Sequence, residues 1–205
     1  FSLSSLGWND ISLGEEGAKA LALNNSWINL ERVDLSGNNI GTEGAKALAQ
    51  NTSWVNLSVL MLCDNNIGAE GASALAQNNS WVNLSVLSLV KNGISTEGGK
   101  ALAQNTSWSN LTRLDLSLNQ FGEGAGALGQ NLSWVNLSEL KLSENAITAE
   151  GARGLAQNTS WINLSLLDFE YNKTIGWNGL EKTLQQNKVW KKDLKIKFRE
   201  WNMNL

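Results

Sequence analysis

The strongest constraint on this chain is a segment of about 27 residues written again and again. Copies of the pattern L-x-x-L-x-L-x-x-N-x-I-G-x-E-G-A-x-A-L-A-Q-N-x-S-W-x-N, each with a few departures, begin at Leu30, Leu57, Leu84, Leu111, Leu137 and Leu164. Successive starts lie 27 residues apart except for one interval of 26, where "NQFGEGAGALGQN" lacks a residue between Gly122 and Glu123. A degenerate copy starts at Leu3 and a divergent closing segment follows Leu184. A fixed period of this length marks a repeat architecture, in which one unit cannot bury its own apolar face and stacked units can. The 205 residues read as one domain: a degenerate first repeat over 1–29, five regular repeats over 30–163, a last repeat over 164–187 and a capping strand over 188–205.

Within each repeat the hydrophobic period changes. "LERVDLSGN" alternates Val33 and Leu35 with polar residues, the period of a half-buried strand, whereas "EGAKALAQN" sets Ala45, Leu48 and Ala49 at helical spacing. The unit is therefore strand, turn, short helix, turn, and the fold class is α/β. Small residues at Gly44, Ala45 and Ala49 predict a helix lying close against the strand, and Asn51 suits the left-handed residue that often ends a helix. Strands stack at about 4.8 Å and helices at about 10 Å, so the array curves with its parallel sheet on the inside.

On these motifs the chain resembles the leucine-rich repeat family, ribonuclease-inhibitor-like subclass, over residues 3–184. The resemblance implies a right-handed horseshoe with short helices on the convex face, protein binding on the concave face, and a mode of action that occludes a partner's active site. The "GxEGAxALA" helix is also similar to GALA-type effector proteins of host-associated bacteria. That likeness implies action in a host cytosol, or an adaptor role that delivers substrates to a ubiquitin ligase; the adaptor would need a recruiting segment such as an F-box, which this sequence does not display.

Positions that stay fixed read as scaffold. Asn38, Asn65, Asn92, Asn119, Asn145 and Asn172 share the position just after the strand, where a buried amide can satisfy loop groups that have left the ladder; Ile11 fills that slot in the first copy. Trp27, Trp54, Trp81, Trp108, Trp134 and Trp161 each precede the next strand by three residues. A solvent-facing row of indoles would be an aggregation liability, so the row is expected to be buried, each ring N–H finding a carbonyl, rather than to form a stacking platform for bases or sugars.

Sheet positions that vary are free to encode a partner. The outward residues of successive strands are Ser5/Gly7/Asn9, Arg32/Asp34/Ser36, Val59/Met61/Cys63, Val86/Ser88/Val90, Arg113/Asp115/Ser117, Glu139/Lys141/Ser143 and Leu166/Asp168/Glu170. Val59, Met61, Val86 and Val90 gather at the centre, flanked by two Arg-x-Asp strands, Arg32/Asp34 and Arg113/Asp115, three strand steps or about 14 Å apart. An apolar centre rimmed by charge is a common interface design. The predicted partner-binding residues are these eight together with Lys141, Asp168 and Glu170.

The same carboxylates offer the one enzyme reading, a hydrolase built on Asp168 and Glu170. An acid/base pair needs two groups in different environments around a pocket, which an open sheet does not supply. The chain has no His and a single Cys, Cys63, which excludes His triads, Cys–His dyads, His/Cys zinc sites and intrachain disulfides. No catalysis, cofactor or metal is predicted.

Charge and hydropathy set the remaining bounds. A net charge of −3 argues against a nucleic-acid or membrane binder. Residues 181–205 are locally basic, with seven Lys/Arg against three Asp/Glu, and "VWKKDLKIKFREW" alternates Leu194, Ile196 and Phe198 with Lys195, Lys197 and Arg199. This is the pattern of an eighth strand, with Lys195 and Lys197 beside Asp168 and Glu170 and with Trp190 and Trp201 sealing the end. Lysines on an edge strand oppose end-to-end assembly, so a monomer is predicted. There is no apolar run long enough to span a bilayer and no signal-peptide pattern; starting at Phe1, the chain reads as an excerpt of a longer one. Twelve Asn-x-Ser/Thr triplets, two in most repeats, could not all carry glycans at about 4.8 Å spacing. They read as by-products of the repeat in a cytoplasmic protein, or one delivered by a bacterium into a host cytosol.

Overall fold

The computed structural model describes residues 3–172, 184–190 and 193–198. Eight three-residue strands form one parallel sheet in sequence order: β1 (Ser5–Gly7), β2 (Arg32–Asp34), β3 (Val59–Met61), β4 (Val86–Ser88), β5 (Arg113–Asp115), β6 (Glu139–Lys141), β7 (Leu166–Asp168) and β8 (Lys195–Lys197). The helices fully within the described residues are α1 (Gly14–Ala22), α2 (Gly41–Gln50), α3 (Gly68–Gln77), α4 (Ser95–Ala103), α5 (Ala125–Leu128) and α6 (Ala149–Leu155). Where the repeat is one residue short, a 3-10 turn at Gly122–Gly124 replaces the first turn of the helix and α5 shrinks to four residues. The deletion is thus absorbed in the helix, and β5 and β6 keep the same register as every other pair.

Each strand buries its central residue, from Leu6 and Val33 through Leu60, Leu87, Leu114 and Leu140 to Leu167, against the helices. The residues on either side point to the uncovered face, as a two-residue period requires. Pairing continues beyond the strands: Leu35 N donates to Met61 O (2.9 Å) and Gly37 N to Cys63 O (2.9 Å), and equivalent bonds recur along the array.

The post-strand asparagines do what the sequence predicts. Asn65 Oδ1 accepts from the Asn38 N–H (3.0 Å) while its Nδ2 donates to Leu35 O (2.8 Å), and Asn92 and Asn119 repeat the arrangement. In the first copy the Ile11 and Leu13 N–H groups both donate to Asn38 Oδ1, at 3.1 and 3.0 Å.

The segment "NTSWVNLS" carries three further ladders. Asn78 Nδ2 donates to Ala49 O and Asn51 O, and Asn51, Asn105, Asn131 and Asn158 act alike. Asn56 and Asn83 donate to Ile28 O and Val55 O, and the hydroxyls of Ser58 and Ser85 donate to Glu31 O and Ser58 O. Asn51 is therefore not the left-handed helix end expected from its position: its backbone is extended (φ −71°, ψ 118°), because the side chain turns back to bond the previous repeat.

Two other expectations are corrected. Gly44 and Ala45 face neighbouring helices rather than the strand. A Cβ on Gly44 would meet Ala18 Cβ at 3.0 Å, one on Gly71 would meet Ala45 Cβ at 3.0 Å, and one on Gly154 would lie 2.6 Å from Gly126 Cα. The indoles of Trp54, Trp81, Trp108, Trp134 and Trp161 are fully buried, but their N–H groups find no carbonyl. Burying an indole, at about 150–250 Å² and about 25 cal/mol/Å², is worth about 4–6 kcal/mol, more than the about 1–3 kcal/mol cost of an orphaned donor, so burial prevails.

The ends differ from the middle. Trp27 is only partly buried, with Trp8 edge-on at 6.5 Å, and Trp190 stacks on Trp161 at 6.4 Å. β8 is the predicted closing strand, but its register is displaced: Lys195 lies beside Leu166 and Lys197 beside Asp168, so Glu170 gains no lysine neighbour from this strand. Arg199 and Trp201 lie outside the described residues.

Candidate functional site

The strand register sorts the variable side chains of the open sheet face into rows. One row runs Ser5, Arg32, Val59, Val86, Arg113, Glu139, Leu166, Lys195; the next runs Gly7, Asp34, Met61, Ser88, Asp115, Lys141, Asp168, Lys197. Val90 and Glu170 stand one outward position further along their chains.

The two halves of this face differ. From β5 onward it is an ionic lattice. Arg113 grips Glu139 with both Nε (2.7 Å) and Nη2 (3.0 Å), Lys141 Nζ lies 3.6 Å from Asp115 Oδ2, and Lys197 Nζ lies 3.5 Å from Asp168 Oδ2. The hydrogen bond to Glu139, reinforced by its charge, holds the Arg113 guanidinium above its ordinary pKa. Asp168 is buried, and its Oδ1 accepts the Glu170 N–H at 3.0 Å. These carboxylates are engaged in structure, and the geometry brings no two of them together around an enclosed space.

Over β3 and β4 the face is largely apolar. Val59, Met61, Val86 and Val90 are half-buried; Val59 lies beside Val86 and Met61 beside Ser88, whose Oγ, between Val86 and Val90, is 3.1 Å from Cys63 Sγ. Arg32 borders this patch in a different state from Arg113. Asp34 Oδ1 is taken by the Ser36 N–H and hydroxyl, Arg32 comes no closer than 3.9 Å to Asp34 Oδ2, and Arg32 Nη2 contacts the Met61 thioether at 3.1 Å. The two Arg-x-Asp strands, alike in sequence, are thus unlike in structure, because Val59 stands opposite Arg32 and Glu139 opposite Arg113.

Clefts between the helices lie on the other side of the molecule, one of them lined by Lys46, Gln50, Glu70 and Gln77. Sequence reasoning passed over one further feature. Ile28, Val55, Val82, Val135 and Ile162, each the residue after the repeat tryptophan, are 42–55% exposed and form a row along the rim where the strands begin. The signal was available: this position is aliphatic in five copies and Ser109 in the sixth.

A leucine-rich repeat model matches residues 28–49, 55–76, 82–103, 109–129 and 135–156, more than half of the chain. The protein belongs to the leucine-rich repeat family. Among solved structures, this leucine-rich repeat chain is similar to a crystal structure of a Bacteroides fragilis protein, with a TM-score of 0.52 and 16% identity. The match covers 96% of the present chain and 65% of the other, and at this identity it speaks for the fold alone. None of the curated proteins matches the chain. Leucine-rich repeats are interaction scaffolds, typically non-catalytic, that generally bind other proteins. No helix among the described residues is long and apolar enough to cross a membrane.

Proposed function

We propose that this leucine-rich repeat protein is a non-enzymatic binding module of the ribonuclease-inhibitor-like subclass that holds a folded protein partner on its open sheet face and occludes the partner's active site. The observation that carries this reading is the cluster of Val59, Met61, Val86 and Val90 on two adjacent strands, on a face that no helix among the described residues covers. Apolar contacts at the centre of an interface supply most of its energy, and charged neighbours such as Arg32, Asp34, Arg113, Asp115 and Lys141 fix its register. The chain itself is a monomer. The similarity of its helices to GALA-type repeats supports an effector role in a host cytosol, and burial of five sequon asparagines supports a compartment without glycosylation. An adaptor that delivers its bound protein to a ubiquitin ligase would use the same face and would need a recruiting segment elsewhere.

The test is affinity purification with the chain as bait, followed by Val86→Glu combined with Arg113→Glu. A partner that binds the face loses affinity at least about tenfold, the effect of one buried charge against an apolar contact. Unchanged affinity would place the interface elsewhere. Asp168→Asn with Glu170→Gln is expected to leave the inhibitory effect on the partner intact; its loss would revive the hydrolase reading.

A further inference from the structure

Repetition supplies an internal control on the open face. Arg32 and Arg113 occupy the same position of the same R-x-D-x-S motif, on strands with the same parallel pairing. Arg113 is saturated by a two-point contact with Glu139. Arg32 has Ser5 on one side and Val59 on the other, Asp34 Oδ2 stands 3.9 Å away, and its nearest acceptor is the Met61 thioether, a weak one. A guanidinium is built to meet a carboxylate through two parallel hydrogen bonds, and here it has none. The other face cations described are placed differently. Lys141 and Lys197 sit beside Asp115 and Asp168, Lys91 is 2.7 Å from Asp64, and Lys195 stands at the far edge beside Leu166.

Resting on the binding reading above, we infer that Arg32 together with Val59, Met61 and Val86 is a composite site for a protein segment carrying an Asp or Glu next to aliphatic side chains. The carboxylate pairs with the Arg32 guanidinium, and the aliphatic groups lie on the valines and methionine one and two strands away, within about 10 Å. From β5 onward, Arg113, Lys141 and Lys197 already have carboxylates within 3.6 Å, so each offers a new carboxylate less than Arg32 does. Charge complementarity selects the acidic segment, and the apolar patch supplies the contact area.

A phage-displayed library of random dodecapeptides, selected on the immobilised 205-residue chain, tests this. The expected outcome is enrichment of sequences with Asp or Glu next to Leu, Ile or Val. Synthetic copies of these should bind Arg32→Glu at least about tenfold more weakly, the loss typical of a charged hydrogen bond, and Arg153→Gln, on helix α6, within about twofold. Peptides that lose binding to Val86→Glu but show no acidic preference and ignore Arg32→Glu would overturn this inference and leave the open-face reading standing. Peptides indifferent to Val86→Glu as well would overturn both. A selection that returns nothing overturns the inference alone, because a short segment is the ligand it names.

Discussion

Asn65 holds the loop of the preceding repeat through Asn38, whose backbone N–H meets the Asn65 side-chain oxygen at 3.0 Å while the Asn65 amide reaches back to Leu35 O at 2.8 Å. Both atoms of one amide are spent on a repeat that is not its own. Asn65→Leu leaves these groups buried and unpaired, and the expected cost is about 2–4 kcal/mol. Chemical denaturation measures it, and a loss below about 1 kcal/mol would mean that the loop is held by its backbone pairing alone.

The interior indoles make an unusual prediction, since their N–H groups contribute no hydrogen bond to lose. Trp81→Phe removes an orphaned donor along with part of the ring and is expected to cost under about 2 kcal/mol, against about 3–5 kcal/mol for Trp81→Ala. Equal losses in denaturant titrations would show that the N–H is satisfied after all.

Lys46 joins two helices by reaching Glu43 at 2.8 Å and Glu70 at 2.7 Å. The Lys46 hydrogen bond, then its charge, lowers the Glu70 pKa below the ordinary carboxylate range. A carboxylate depressed in the folded state contributes stability that is present above its unfolded pKa and lost as pH falls through the folded one. The gap in thermal midpoint between the native protein and Lys46→Met should therefore be constant near neutrality and close as the pH falls below about 4. A gap that persists unchanged at pH 2 would trace it to packing of the lysine stem.

Asn51, Asn78, Asn105, Asn131 and Asn158 are buried despite sitting in glycosylation triplets. If the chain is expressed through a glycosylating secretory pathway, mass spectrometry of the folded fraction is expected to find these five unmodified. Any glycan is confined to the exposed positions such as Asn56 and Asn83. Folded protein modified at Asn78 would contradict the ladder that Asn78 makes with Ala49 and Asn51.

The period made the fold legible, because a change from alternate-residue to helical spacing inside a fixed 27-residue unit leaves few architectures open. The Asn38 row was legible for the same reason: a polar residue fixed at a strand exit has to serve the backbone. What could not be read is which neighbour each side chain would choose. Asn51 looked like a helix terminator and proved to be a rung between repeats; Gly44 looked like a strand contact and meets Ala18 of the helix before it. Arg32 and Arg113 share the R-x-D-x-S motif, and the carboxylate that separates them, Glu139, comes from the strand that follows Arg113, where Arg32 meets Val59. For Lys195 a two-residue displacement decided the partner, and the alternation of the tail allowed either register.

The asparagine row runs in one direction only. The first repeat carries Ile11 where an amide is needed, yet its loop is held, because Asn38 of the next repeat supplies the acceptor. In this row each post-strand loop takes its side-chain acceptor from the repeat that follows it. A chain leaving the ribosome N-terminus first therefore finishes every loop one repeat late, so that folding trails synthesis by a constant interval of about one unit along the array.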